Sequence, residues 1–145
     1  DYRLDEVFLS DGEFVIEDFS GDHSRPLSER RLRGSPLRDV AQMLRSIDYV
    51  AMTLVLDGTD DLVRRATAWS AEVGSAFASA YLDAMEDSPT LPDDLASIEE
   101  LLGAFAMTRA LRELHWELMI RPEWAPVPLA GLRRMLGVRP ALVER

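Results

Sequence analysis

The most constraining feature of this 145-residue sequence is a long apolar stretch between Leu95 and Ile120 that repeats with a helical period. At about 100° per residue, its apolar side chains fall into two stripes on roughly opposite sides of one helix. The two stripes are Ile98, Leu101, Leu102 and Phe105, and Met107, Leu111, Leu114 and Leu118. A helix that is apolar on two sides is expected to be covered on both. The sequence therefore predicts a helical domain with this helix at its centre.

The first apolar stripe becomes polar halfway along this helix. The same face continues with charged and aromatic side chains, with one more carboxylate on its edge: Arg109, Arg112, Glu113, Trp116 and Glu117. Charged groups are costly to bury without partners, so this part of the face predicts a polar cavity. The alternative is a set of salt bridges within the helix, such as Arg109 with Glu113, together with a core tryptophan.

Three more helices are predicted from capping residues, prolines and apolar periodicity. Their expected bounds are Ser35 to about Leu56, Thr59 to about Met85, and Pro128 to Leu136. Residues 21–34 are polar, rich in arginine and aperiodic, which is typical of a loop.

The first residues of the chain predict a β-hairpin. Asp11-Gly12 is a strong two-residue turn signal between two apolar runs. With that turn, the paired residues are Leu9 with Phe14, Phe8 with Val15, Val7 with Ile16, and Glu6 with Glu17. The chain is therefore expected to be mainly α (α+β), with residues 1–22 as the hairpin and 23–145 as the helical part of the same domain.

The charge of the chain excludes several classes of function. Sixteen basic against twenty-six acidic residues give a net charge of −10, which disfavours nucleic acid and membrane surfaces as partners. All sixteen basic residues are arginine, so a Walker-type phosphate loop or a Schiff-base lysine is excluded from this segment. No apolar run approaches the ~18 residues of a membrane span, and a cytoplasmic protein is expected. With no cysteine and two histidines, any metal must bind to oxygen atoms.

Short acidic motifs flank the predicted hairpin. Asp18-Phe19-Ser20-Gly21 follows one strand, and Asp1 is followed by Glu6 five residues later, just before the other strand. This spacing resembles the catalytic and metal loops of kinase-like phosphotransferases. The resemblance implies that Asp1 is the catalytic residue that accepts the proton of the attacking hydroxyl. It also implies that Glu6 and Asp18 are ligands of Mg²⁺. Without this resemblance, Asp1, Glu6 and Asp18 would be interpreted as ordinary solvated acids.

Longer runs of the sequence resemble bacterial maltokinases. They are residues 18–31, residues 35–49, and Ala110-Leu111-Arg112-Glu113-Leu114-His115-Trp116-Glu117-Leu118 with the following Arg121-Pro122-Glu123-Trp124. The resemblance implies the helical C-terminal lobe of an ATP-dependent sugar kinase with the aminoglycoside-phosphotransferase-like fold. The nucleotide-binding N-terminal lobe would be a missing partner, and the isolated fragment is expected to be inactive. Arg109, Arg112, Glu113, Trp116 and Glu117 would then bind the sugar. Asp39 would have a structural role, either at the catalytic-loop backbone or at the helix dipole.

Several positions depart from the maltokinase pattern. Glu6 replaces a glutamine, Ser20 replaces an acidic residue, and His23 replaces a proline. In the helix predicted between Leu95 and Ile120, charged side chains and the indole of Trp116 replace part of the tyrosine- and asparagine-rich surface of maltokinases. A related glucosamine kinase is the alternative, because Glu113, Glu117 and Trp116 could receive an ammonium sugar. A non-catalytic kinase-like scaffold is the alternative of another class.

Overall fold

The computed structural model describes residues 1–21, 25–86 and 88–137 of the chain. It is mainly helical, with one two-stranded antiparallel sheet near the start. The described strands and α-helices are β1 Val7–Ser10, β2 Glu13–Ile16, α1 Leu27–Arg30, α2 Leu37–Thr53, α3 Asp60–Ala84, α4 Leu95–Ile120 and α5 Pro126–Met135. Single 3-10 turns lie at Leu4–Glu6 and Pro122–Trp124. None of the described helices is both long and apolar enough to cross a membrane.

The hairpin has the predicted turn and register. Asp11 and Gly12 both have positive φ angles, 53° and 86°, which a tight two-residue hairpin turn requires. The strand pairs are those expected from this turn, from Ser10 opposite Glu13 to Val7 opposite Ile16. One more backbone hydrogen bond, from Glu17 N to Glu6 O at 2.9 Å, extends the pairing past the strands.

Side chains cap the starts of two helices: Thr59, as predicted, and Asp94, which was not predicted. The Thr59 hydroxyl accepts a hydrogen bond from Leu62 N at the start of α3. The Asp94 carboxylate accepts one from Ser97 N at 2.8 Å at the start of α4, and α4 has the predicted bounds. These caps supply acceptors for first-turn N–H groups that have no partner within the helix.

Other boundaries differ from the prediction. The α2 helix begins at Leu37, although the Ser35 hydroxyl still accepts from Leu37 N at 3.3 Å, and it ends at Thr53 rather than near Leu56. Part of the expected loop forms the single-turn helix α1, which is too short to show periodicity. The last helix begins earlier, at Pro126, because proline fits the first helical position.

The helix with the most packing partners is α2 rather than α4. It packs against α3, α4, α5 and the 3-10 turn before the hairpin. The expected second apolar face of α4 is only partly covered by the described chain: Met107 and Leu114 are half-buried, whereas Leu111 and Leu118 are 53% and 55% exposed. The prediction of a helix buried on two sides is therefore wrong for this face. The buried apolar residues come largely from α2, with contributions from α4 and α5: Leu37, Val40, Ala41, Met43, Ile47, Ala51, Met52, Ile98, Ala110, Val127 and Leu132.

We expect Leu37→Ala to lower the free energy of unfolding by about 2 to 5 kcal/mol, because Leu37 is fully buried and its loss leaves a cavity. Leu54→Ala is the matched control, since Leu54 follows the same helix and is 80% exposed. Its effect should stay within about 0.5 kcal/mol. Urea denaturation of both variants measures the difference. Equal midpoints would contradict this description of the core.

Candidate functional site

A cleft of about 1120 Å³ lies between the first five residues, α2 and α4. It contains Asp1 together with all five α4 residues that were singled out from the sequence. Its polar lining includes Asp1, Arg3, Gln42, Ser46, Tyr49, Arg109, Arg112, Glu113, His115, Glu117 and Arg121. The expected polar face of α4 therefore does border a cavity, and Asp1 lines the same cavity.

One face of α2 holds the backbone of the first residues. The Asp1 nitrogen lies 3.3 Å from Asp39 Oδ1, Tyr2 N donates to Gln42 Oε1 at 3.0 Å, and Leu4 N donates to Ser46 Oγ at 3.1 Å. Asp39, Gln42 and Ser46 are spaced three and four residues apart, so they share one side of the helix. Sequence reasoning singled out Asp39 but missed Gln42 and Ser46. Their spacing from Asp39 was the available signal.

The Asp1 carboxylate lies between two arginines. Its Oδ2 atom is 3.5 Å from Arg3 Nε, and its Oδ1 atom is 3.7 Å from Arg109 Nη1. The side chain is 9% exposed, and Oδ1 is buried without a hydrogen-bond donor among the described residues. Asp1 therefore lines the cleft and keeps one buried acceptor oxygen that has no donor among the described residues.

A row of charged side chains leads away from Asp1. Glu113 binds Arg109 Nε through Oε1 at 3.2 Å and Arg45 Nη2 through Oε2 at 2.6 Å. Arg45 binds Asp48 at 2.7 Å, and Asp48 binds Arg134 of α5 at 2.5 and 2.6 Å. The pair of Arg109 with Glu113 is the expected intrahelical salt bridge. It coexists with the cleft rather than replacing it.

Glu117 is bound on both of its carboxylate oxygens. It is 2% exposed, and Tyr49 donates to Oε1 at 2.6 Å. Arg121 donates to Oε1 at 2.7 Å and to Oε2 at 3.0 Å. Burial, followed by the hydrogen bond to Glu117, raises the pKa of the Tyr49 hydroxyl well above its usual range. Three hydrogen bonds leave Glu117 little capacity for a further ligand.

Trp116 forms an apolar part of the cleft wall. It is 57% exposed, so the alternative that it is a core tryptophan is wrong. Arg112, about one helical turn before Trp116, and His115, the preceding residue, also line the cleft. An exposed indole beside polar groups suits a ligand that has both a flat apolar surface and hydroxyl groups.

The two expected metal ligands lie outside the cleft lining. Glu6 is 7% exposed, its Oε1 binds Arg3 Nη2 at 3.1 Å, and its Oε2 is buried without a donor among the described residues. Asp18 is exposed, with φ at 55°, and its Oδ1 accepts from Ser20 N at 3.0 Å. His23, one of the departures noted above, lies outside the described residues.

Glu6 and Asp18 would supply only part of a metal site. Within the described ranges, no three carboxylate or histidine side chains converge as a metal cluster. Magnesium in phosphotransferases takes one or two carboxylates and completes its shell with water and phosphate oxygens. The unpartnered Oε2 of Glu6 and the carboxylate of Asp18 fit such a partial donor set.

The fold is that of a mainly helical fragment of a kinase. A solved structure of a glucosamine kinase, in its crystal form B, superimposes with a TM-score of 0.80 at 28% sequence identity. That match covers 96% of this chain and 34% of the solved chain. A glucosamine kinase in complex with glucosamine, ADP and inorganic phosphate also has a TM-score of 0.80, at 27% identity, covering 94% of this chain and 34% of the solved one.

Sequence comparison with curated proteins also finds a glucosamine kinase. The glucosamine kinase of Streptacidiphilus jiangxiensis is 27% identical over 141 residues, which is 96% of this chain. The chain spans about a third of that relative, 31% of its length. No protein-family model matches the chain. These relatives are glucosamine kinases, so they do not support the more specific expectation of a maltokinase.

The raised pKa of Tyr49 predicts a loss of stability at alkaline pH. The folded state holds this proton more tightly than the unfolded state, whose tyrosine pKa is about 10. The stabilisation is therefore fully present below pH ~10 and is lost as the pH rises above it, by up to about 1.4 kcal/mol per pH unit. Tyr49→Phe lacks this dependence. Urea unfolding at pH 8 and pH 11 should show a smaller stability difference between the two proteins at pH 11, and parallel curves would contradict the prediction.

Proposed function

We propose that this chain is the acceptor-binding part of an enzyme that transfers the γ-phosphoryl group of ATP to a sugar hydroxyl. The observation that carries the proposal is the shared cleft: Asp1 and the polar face of α4 line one cavity. The likeness to glucosamine kinases, one of them solved with glucosamine and ADP, supports it. The nucleotide-binding residues would belong to a further part of the protein, consistent with the absence of lysine from this chain.

The proposed reaction uses Asp1 as the proton acceptor. The sugar hydroxyl oxygen forms a bond to the γ-phosphorus while the bond from that phosphorus to the ADP oxygen breaks. The hydroxyl proton passes to the carboxylate of Asp1, whose Oδ1 accepts no hydrogen bond from the described residues. Glu6 and Asp18 would hold Mg²⁺, which neutralises charge on the phosphate oxygens when it is bound.

Glucosamine is the acceptor that we propose, in place of maltose. The relatives given above support this choice, and the exposed face of Trp116 provides a surface on which a single sugar ring can stack. Of the two carboxylates expected to pair with the ammonium group, Glu113 is the better candidate. It accepts two hydrogen bonds, whereas Glu117 accepts three and is nearly inaccessible.

We expect the full-length protein to phosphorylate glucosamine in preference to maltose. Trp116→Ala should raise the KM for glucosamine, because stacking on the indole contributes to sugar binding. Leu118→Ala is the control, since Leu118 is a similarly exposed α4 residue that does not line the cleft. A coupled ADP-release assay with glucosamine, glucose and maltose measures both results. Preference for maltose would reject the aminosugar proposal and retain the sugar kinase.

We expect Asp18→Asn to lower turnover by on the order of a hundredfold, because a carboxylate that would hold the metal is lost. Asparagine keeps the hydrogen bond to Ser20 N and tolerates the positive φ, so the fold should persist. Asp11→Asn is the matched control. It also removes one negative charge at a residue with positive φ, but Asp11 lies in the hairpin turn and has no proposed role in metal binding.

Calorimetry with ATP and Mg²⁺ separates the enzyme from a non-catalytic scaffold. Nucleotide binding by the full-length protein, combined with loss of turnover in Asp18→Asn alone, supports the kinase. Unchanged activity in Asp18→Asn rejects the metal assignment. No nucleotide binding at all supports the scaffold.

A further inference from the structure

Arg45 is the most deeply buried arginine among the described residues and does not line the cleft. It is 4% exposed, and it binds Glu113 on α4 at 2.6 Å and Asp48 on α2 at 2.7 Å. An arginine with both carboxylate contacts inside the protein cannot bind a sugar in the cleft directly. Any influence that it has on the reaction must pass through its neighbours.

Those neighbours lead to Asp1 in two steps. Glu113 uses one oxygen for Arg45 and the other for Arg109, and Arg109 lies 3.7 Å from Asp1 Oδ1. In the other direction, Asp48 joins Arg45 to Arg134 of α5. The signs alternate along the whole row, so each charge is balanced by its neighbour. Removing one member leaves a buried charge without compensation and allows the remaining pairs to shift.

We propose that Arg45 is a positioning residue that fixes the direction of the Asp1 carboxylate through Glu113 and Arg109. The α2 helix then positions both the backbone and the side chain of Asp1. Its polar face of Asp39, Gln42 and Ser46 holds the backbone of residues 1–4, and Arg45 holds the side chain through α4. This inference rests on the proposed role of Asp1 as the proton acceptor.

Gly131 offers a way to displace Arg45 without removing its charge. A Cβ atom at residue 131 of α5 would lie 2.4 Å from Arg45 Nη1 and 3.1 Å from Cζ. Since Nη1 is the atom that binds Asp48, the guanidinium cannot move aside and keep both carboxylates in place. Gly131→Ala should therefore shift the row of charges while keeping all of its members. Gly103→Ala is the matched control, because a Cβ there, also in a helix, meets nothing within 4 Å.

The experiment measures glucosamine phosphorylation by the full-length wild-type protein and by Gly131→Ala, Gly103→Ala and Arg45→Gln. Turnover is expressed per ATP-binding site counted by calorimetry, so that unfolded protein does not contribute. We expect Gly131→Ala and Arg45→Gln to lower kcat about tenfold or more, because a small misplacement of a reacting group is costly. Their KM for ATP should stay within about twofold of wild type, and the fall in kcat should exceed any change in the KM for glucosamine, since Glu113 is also the proposed partner of the ammonium group. Gly103→Ala should match wild type in all of these parameters.

The possible outcomes separate this inference from the proposed function. An increase in the KM for glucosamine at unchanged kcat would overturn the positioning role and assign the row of charges to sugar binding. A wild-type kcat in Gly131→Ala would also overturn it, even if Arg45→Gln does not fold. A full-length protein without any sugar phosphorylation would reject the proposed function, and the positioning role with it. An active wild-type protein, together with variants whose kcat falls by more than their KM for glucosamine rises, supports both.

Discussion

The buried guanidinium of Arg45 joins three helices. It connects α2 to α4 through Glu113, and through Asp48 it connects α2 to Arg134 of α5. Buried ion pairs contribute little net stability when they are compared with apolar packing, since desolvation offsets their attraction. Their effect is on the arrangement of the helices, because each guanidinium reaches its carboxylates only when α2, α4 and α5 have these relative positions. The absence of a side chain at Gly131 is part of this fit, because the guanidinium fills the space where a Cβ would lie.

The position of the candidate site follows from the central place of α2. One side of this helix forms much of the apolar core, while its polar residues face the segment that carries Asp1. The α4 helix then supplies the opposite wall, with Arg109 and Glu113 joining the two sides. The same helix therefore sets the core and the geometry of the cleft, so a change in core packing is transmitted to the cleft through rigid contacts.

Local signals in the sequence predicted much of the fold. Asp11-Gly12 gave the hairpin register, and Thr59 gave the start of α3, because turns and caps depend on neighbouring residues alone. The cleft residues of α4 were found from a change of polarity along one helix face. The partnership of Arg45 with Glu113 could not be found in this way, since 68 residues separate them and neither has a sequence signal for the other. Exposure of Leu111 could not be predicted either, because an apolar pattern does not reveal which chain covers it.

The hairpin has a consequence for how copies of this chain behave in solution. Both strands are largely exposed, including Leu9 and Phe14, and in the described two-stranded sheet each strand has an unpaired edge. Such edges are templates for pairing with other strands. The carboxylates of Asp11 and Glu13 at the turn, together with the net charge of −10, oppose this by electrostatic repulsion between copies. Salt screens that repulsion but leaves the open edges in place, so the tendency of copies to associate should rise with ionic strength.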